Sequence, residues 1–178
     1  LDAGSFFSEE FAGEPIPLLA DVIDFAKEHH LRLNIELKPS THDKDFVPSV
    51  VDLILEKDFA GSCVVASQKY RLLQHVKAYS EEISTVYVMR FAYGDISRLT
   101  DADNFSIEAG SISAALVSRV HNEGKQVYAW TVNSSRGASR MVSLQVDNII
   151  TDDPALVQKC IYENKFGTFL DAFLDALR

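Results

Sequence analysis

Three polar residues alternating with apolar ones carry the clearest chemical signal in this sequence. In Leu33-Asn34-Ile35-Glu36-Leu37-Lys38, the side-chain period of a strand puts Leu33, Ile35 and Leu37 on one face and Asn34, Glu36 and Lys38 on the other. In an open antiparallel sheet such a strand is simply half wet. In a parallel sheet covered by helices there is no wet face, so the polar row must line a cavity or find partners. A carboxylate and an ammonium about 6 to 7 Å apart along a strand can divide work on one anion. Glu36 suits a hard divalent cation, and Lys38 suits a phosphate oxygen.

Other strand ends offer weaker chemistry. Val127-Tyr128-Ala129-Trp130-Thr131-Val132-Asn133 carries the single Trp of the chain. Trp130 reads either as a core aromatic or as an apolar wall for the non-reacting part of a substrate. Glu108 closes Phe105-Ser106-Ile107-Glu108 and is either a solvated loop acid or a substrate contact. Asp152 and Asp153 precede Pro154, where they are expected to cap a helix. The histidines are uninformative: His29 and His30 end a helical pattern, His75 and His121 lie on helices, and His42 sits in a polar loop near the Glu36 strand. None has the spacing of a zinc site, and no G-x-S-x-G elbow or Gly-rich phosphate loop follows any strand. Cys63 and Cys160, far apart in apolar patterns, read as buried reduced thiols.

The elements that must position these residues alternate regularly. Strand patterns fall at Leu31–Leu37, Ser62–Ser67, Thr85–Arg90, Phe105–Glu108, Gln126–Val132 and Asn148–Thr151. Their starts lie roughly 20 to 31 residues apart, room for one helix each, as parallel pairing requires. Helical patterns run from Leu18 to His30, from Pro48 through Leu55, from Arg71 to Tyr79, from Ser113 to Glu123 with Gly124 as a left-handed cap, and from Pro154 to Tyr162. Phe166, Phe169, Leu170, Phe173, Leu174 and Leu177 form a last amphipathic stripe, expected to dock on the domain. Repeated strand–helix units imply a parallel sheet, either doubly wound and open or closed as a barrel.

Composition narrows the partners. The 178 residues are 47% hydrophobic and 24% charged, as in a folded domain. Acids outnumber bases 26 to 17, for a net charge of −9, which argues against a nucleic-acid partner but not against a small anionic substrate. No apolar run is long enough to span a membrane. The start, Leu1-Asp2-Ala3-Gly4-Ser5, has no initiator Met, no basic region and no apolar signal core, and a cytoplasmic location is expected.

Taken together, Leu1–Phe7 with Phe11–Leu19, Asn34-Ile35-Glu36-Leu37-Lys38, Tyr128-Ala129-Trp130-Thr131-Val132-Asn133 and Asn148–Pro154 resemble, in order and spacing, the glycerophosphodiester phosphodiesterase family. Phe6, Leu18 and Gln68 depart from its usual residues. The resemblance implies a TIM-type (β/α)8 barrel, here truncated to about six βα units without the first two strands. Residues 1–17 would be the remnant of an insertion, and residues 18–178 barrel units three to eight of a single domain. It further implies metal-dependent hydrolysis of glycerophosphodiesters to glycerol 3-phosphate and an alcohol. Glu36 would be a ligand of the divalent cation, Mg²⁺ or Ca²⁺, Lys38 a phosphate contact, and Trp130 a lining of the glycerol end, while Glu108 stays a candidate substrate contact from its place at a strand end alone.

The family's catalytic histidines precede the insertion, so the chain is expected to lack activity alone. A non-catalytic binding module of the same fold is the alternative, and an open doubly wound domain a second rival. Truncation predicts two open sheet edges near Asn34 and Ile149, exposure of part of the helix face at Leu19 and Ile23, and self-association or reliance on a missing N-terminal segment.

Overall fold

The computed structural model describes residues 1–38, 45–92 and 94–163. Its centre is one parallel sheet of six strands in sequential order. These are β1 (Leu33–Glu36), β2 (Cys63–Ser67), β3 (Ser84–Met89), β4 (Asn104–Glu108), β5 (Val127–Trp130) and β6 (Asn148–Ile149). Between them run α2 (Phe46–Glu56), α3 (Tyr70–Tyr79), α4 (Ala114–Asn122) and α5 (Ser135–Ser143), with α1 (Leu19–Glu28) before β1. Residues 154–163 are helical. Each strand pairs only with its sequence neighbours, so β1 and β6 have no strand partner on their outer sides among the described residues. His42 and the stripe from Phe166 to Leu177 lie outside the described residues.

The alternation in β1 sorts as its sequence requires. Leu33, Ile35 and Leu37 pack into a core with Ile23, Val51, Ile54 and Val65, between the sheet and α1 and α2. A second helix-side core gathers Phe105, Ile107, Val127, Ala129, Ala138 and Met141, with Val157 from the last helical segment. The other face of the sheet holds a smaller cluster of Val64, Ala66, Val86 and Tyr128. Burial raises the pKa of Tyr128, an effect offset in part by the charge of Arg32.

Three sequence expectations need correction. Ile23 is fully buried and Leu19 packs partly against the same core, because α1 lies on α2 and the β1–β2 pair. The apolar groups left in water here include instead Phe25 on this helix, and Leu18, Phe6 and Phe7 before it. Helix α5 fills an interval with room for a helix, but no helical pattern marks it in the sequence. Its sequence, Ser-Arg-Gly-Ala-Ser-Arg-Met-Val-Ser, is poor in strong helix formers. It forms because Ser134 Oγ accepts from Gly137 N–H, Ala138 and Met141 are buried, and the Arg140 guanidinium donates to the carbonyls of Ala109 and Ile112. Helix α2 also starts two residues before Pro48, which sits inside its first turn, where the missing N–H costs nothing.

The caps otherwise follow the sequence. Gly124, at φ 70°, closes α4 with paired bonds from Gly124 N to His121 O and from Lys125 N to Val120 O. Asp153 Oδ1 accepts from Leu156 N–H and caps the helical segment that begins at residue 154.

At the N-terminal ends of the strands, loop side chains tie strand starts together. Asp103 Oδ2 accepts from Thr85 N–H at 2.8 Å and from Lys77 Nζ at 2.6 Å. Asn104 Oδ1 accepts from Gln126 N–H at 2.9 Å, and Asp147 Oδ2 accepts from Val127 N–H at 2.7 Å and contacts His121 Nε2 at 2.9 Å. Before α1, the Asp2 carboxylate accepts from Gly4 N–H, Ser5 N–H, Ser5 Oγ–H and Gly13 N–H. Gly4 is packed so closely that a Cβ there would stand 1.7 Å from the Phe11 carbonyl oxygen.

Candidate functional site

The polar row of β1 opens onto a cleft of about 440 Å³ at the C-terminal ends of the strands. Asn34, Glu36, Lys38, Gln68, Ser106 and Trp130 line it, and Thr131 and Ile150 complete the far wall. Three of the residues singled out from the sequence, Glu36, Lys38 and Trp130, thus meet in one cavity. Lys38 Nζ lies 3.6 Å from Glu36 Oε2, closer than two alternate positions on a strand stand by backbone spacing alone. Lys38 is 79% exposed and Glu36 34%, so the ammonium stands at the mouth and the carboxylate deeper. A pair so placed gains little stability from its charges. Its use is to present a cation and an anion side by side.

The walls come from the adjacent strands by register. Glu36 pairs with Ala66 of β2, whose small side chain leaves room on the floor. Ser106 of β4 lies between Val88 of β3 and Tyr128 of β5. Trp130 ends β5, and the peptide bond that follows it is cis. Asn133 then links the ends of β5 and β6. Its Oδ1 accepts from Thr151 Oγ1–H at 3.1 Å and Asp152 N–H at 2.9 Å, and its Nδ2 donates to Asp152 Oδ2 at 2.6 Å. Asp152 is therefore engaged at this junction while its neighbour Asp153 caps the helix.

Glu108 is placed differently from Glu36. It pairs in register with Trp130, but its carboxylate accepts from Gly110 N–H at 3.0 Å and from Ser111 Oγ–H at 3.3 Å. It caps the turn after β4 and is not among the residues lining the cleft. The described histidines stay away from it as well: His29 and His30 end α1, His75 lies within α3, and His121 meets Asp147 at the opposite end of the sheet. Cys63 and Cys160 are both buried and not joined in a disulfide. Burial pushes the Cys63 thiol up to about 11, which makes it a poor nucleophile.

Two polar atoms in the cleft stand out, one on Trp130 and one on Ser106, which the sequence did not flag. Ser106 Oγ and Trp130 Nε1 are buried and have no hydrogen-bond partner among the described residues. A serine between Phe105 and Ile107 reads as filler in a strand, so only its surroundings disclose it. A divalent cation fits this donor set poorly. Among the described residues no three His, Cys, Asp or Glu side chains gather closely enough to hold a metal, and Glu36 is the one carboxylate lining the cleft. A hard cation takes roughly six to eight oxygen ligands.

Ordered parallel strands, helices on the outer face and a polar cleft at the strand C-termini define a truncated TIM-type barrel with its site at the usual end. Residues 1–156 match the glycerophosphoryl diester phosphodiesterase family, and the chain belongs to that family. It is 28% identical over 163 residues to a glycerophosphodiester phosphodiesterase of Caldanaerobacter subterraneus, covering 86% of this chain and 65% of the relative. It is also 28% identical over 167 residues to the candidate glycerophosphodiester phosphodiesterase YhdW of Bacillus subtilis, covering 89% of this chain and 68% of that protein. Among solved structures, an Oleispira antarctica phosphodiesterase in complex with the product sn-glycerol-3-phosphate superimposes with a TM-score of 0.80 at 25% identity, over 90% of this chain and 67% of that one. A Silicibacter pomeroyi structure matches in fold with the same TM-score at 21% identity, and this chain spans 59% of its length.

Proposed function

We propose that this chain carries the phosphate- and glycerol-handling strands of an enzyme that hydrolyses glycerophosphodiesters to glycerol 3-phosphate and an alcohol. The observation that carries this reading is the convergence of Glu36, Lys38 and Trp130 on one cleft at the C-terminal ends of the strands. The family match and the likeness to a phosphodiesterase bound to sn-glycerol-3-phosphate support it.

In this reading Lys38 Nζ binds a non-bridging phosphate oxygen. It offsets the negative charge that gathers there as water oxygen bonds to phosphorus and the bond to the leaving alkoxide breaks. Trp130 covers the glycerol end and keeps bulk water from it. Glu36 would be one oxygen ligand of the divalent cation, Mg²⁺ or Ca²⁺, of the longer enzyme, and the remaining ligands would come from outside the described residues. The acid and base that move protons to the alkoxide and from water are supplied by the longer enzyme, and this chain is inactive alone. Residues 1–17 belong to an insertion and residues 18–178 to barrel units three to eight of one domain.

The test is release of glycerol 3-phosphate from glycerophosphodiesters by this chain and by a form extended at the N-terminus to the length of its relatives. The extended protein turns over, the 178-residue chain does not, and Lys38→Ala in the extended protein lowers turnover roughly 10²- to 10³-fold. Wild-type rates for Lys38→Ala would remove that residue from the site, and an inactive extended protein would sink the reading.

A further inference from the structure

We propose that Ser106 recognises a hydroxyl group of the ligand, and so determines specificity for polyol phosphates over phosphates lacking that hydroxyl. The inference rests on the function proposed above and names which part of the ligand each end of the cleft receives. Ser106 is 1% exposed, yet it lines the cleft and its oxygen has no partner. Buried polar side-chain atoms are nearly always paired, because each unpaired one costs on the order of 1 to 3 kcal/mol. Its register neighbours cannot supply the bond. Val88 is apolar, and the Tyr128 hydroxyl is turned to Gln126 Oε1 at 3.2 Å.

The second orphan in the same cleft, Trp130 Nε1, is a donor only, whereas a serine hydroxyl both donates and accepts. An alcohol oxygen matches that pair: it accepts from the indole and exchanges a hydrogen bond with serine. Rotation about the single χ1 of Ser106 selects among three staggered directions for Oγ, so the hydroxyl can turn into the cleft without backbone movement.

Charge sets the orientation. Lys38 stands exposed at the mouth and Glu36 deeper. A phosphate is drawn to the ammonium and kept off the floor by the carboxylate, which leaves the floor to the neutral, hydroxylated end of the ligand.

The experiment is calorimetric titration of the 178-residue chain, with emission of its sole tryptophan as a second readout. The probes are sn-glycerol 3-phosphate and two analogues, 3-hydroxypropyl phosphate and 2-hydroxypropyl phosphate, each lacking one hydroxyl. Wild type binds glycerol 3-phosphate about tenfold more tightly than at least one analogue, and Ser106→Ala and Ser106→Cys bring that ratio to within about twofold. Circular dichroism verifies that the variants are folded, and the wild-type comparison needs no variant. Equal binding of all three ligands by wild type, as when Oγ holds only a structural water, overturns the role of Ser106 and leaves the phosphate reading standing. Discrimination that survives both substitutions overturns it too. Binding of none of the three overturns the proposed function itself.

Discussion

At the scale of single residues, Asp2 shows how one side chain holds a loop. Hydrogen bonds from the Ser5 hydroxyl and backbone N–H, then from Gly13, hold its carboxyl from the ordinary 3.8 down to about 2. Each of these bonds favours the ionised form. The folded loop therefore gains from Asp2 above about pH 4, and the gain disappears as pH falls through about 2. The segment from Gly4 to Gly13 should then become protease-sensitive in that acid window, while Asp2→Asn is sensitive at neutral pH. A loop equally protected at pH 2 and pH 7 would contradict this. Glu36, Lys38 and Trp130 were legible at the same scale for a physical reason. A polar row in a strand that must be covered on both faces has to be accounted for, and a lone tryptophan at a strand end invites a ligand. Ser106 was illegible because its significance lies in what its neighbours fail to offer.

At the scale of elements, strands were readable because their apolar runs recur at intervals that admit one helix, and the observed starts lie within two residues of the expected ones. Helix α5 escaped because its stability is tertiary: two buried side chains, one serine cap and one arginine reaching across to the loop after β4. Asn133 was quoted as part of a motif, but its three bonds run to residues eighteen and nineteen positions away. That junction also carries the bond from Val132 N–H to Ile150 O at 2.9 Å. Asn133→Ala should destabilise the chain by about 1 kcal/mol, since the lost bonds are exposed. It should also cut hydrogen-exchange protection at Val132 more than at Val127 or Phe105. Unchanged protection at Val132 would mean that the junction holds without the asparagine.

At the scale of the whole molecule, an open arc of sheet leaves the outer backbone groups of β1 and β6 without strand partners among the described residues. Phe6 is 99% exposed and Phe7 81%, adding an apolar surface. Unpaired strand edges and apolar patches both favour association. Light scattering on the 178-residue chain should give a mass above one copy, and addition of the N-terminal segment of its relatives should return it to monomer. A monodisperse monomer would show that the edges are blunted by other means.

The bonds of Asp103, Asn104 and Asp147 at the strand starts have a different consequence. They pin the strand starts at the end of the sheet opposite the cleft. Substitutions in the cleft lining leave those three ties in place, so the lining can change in sequence while the strand starts stay pinned.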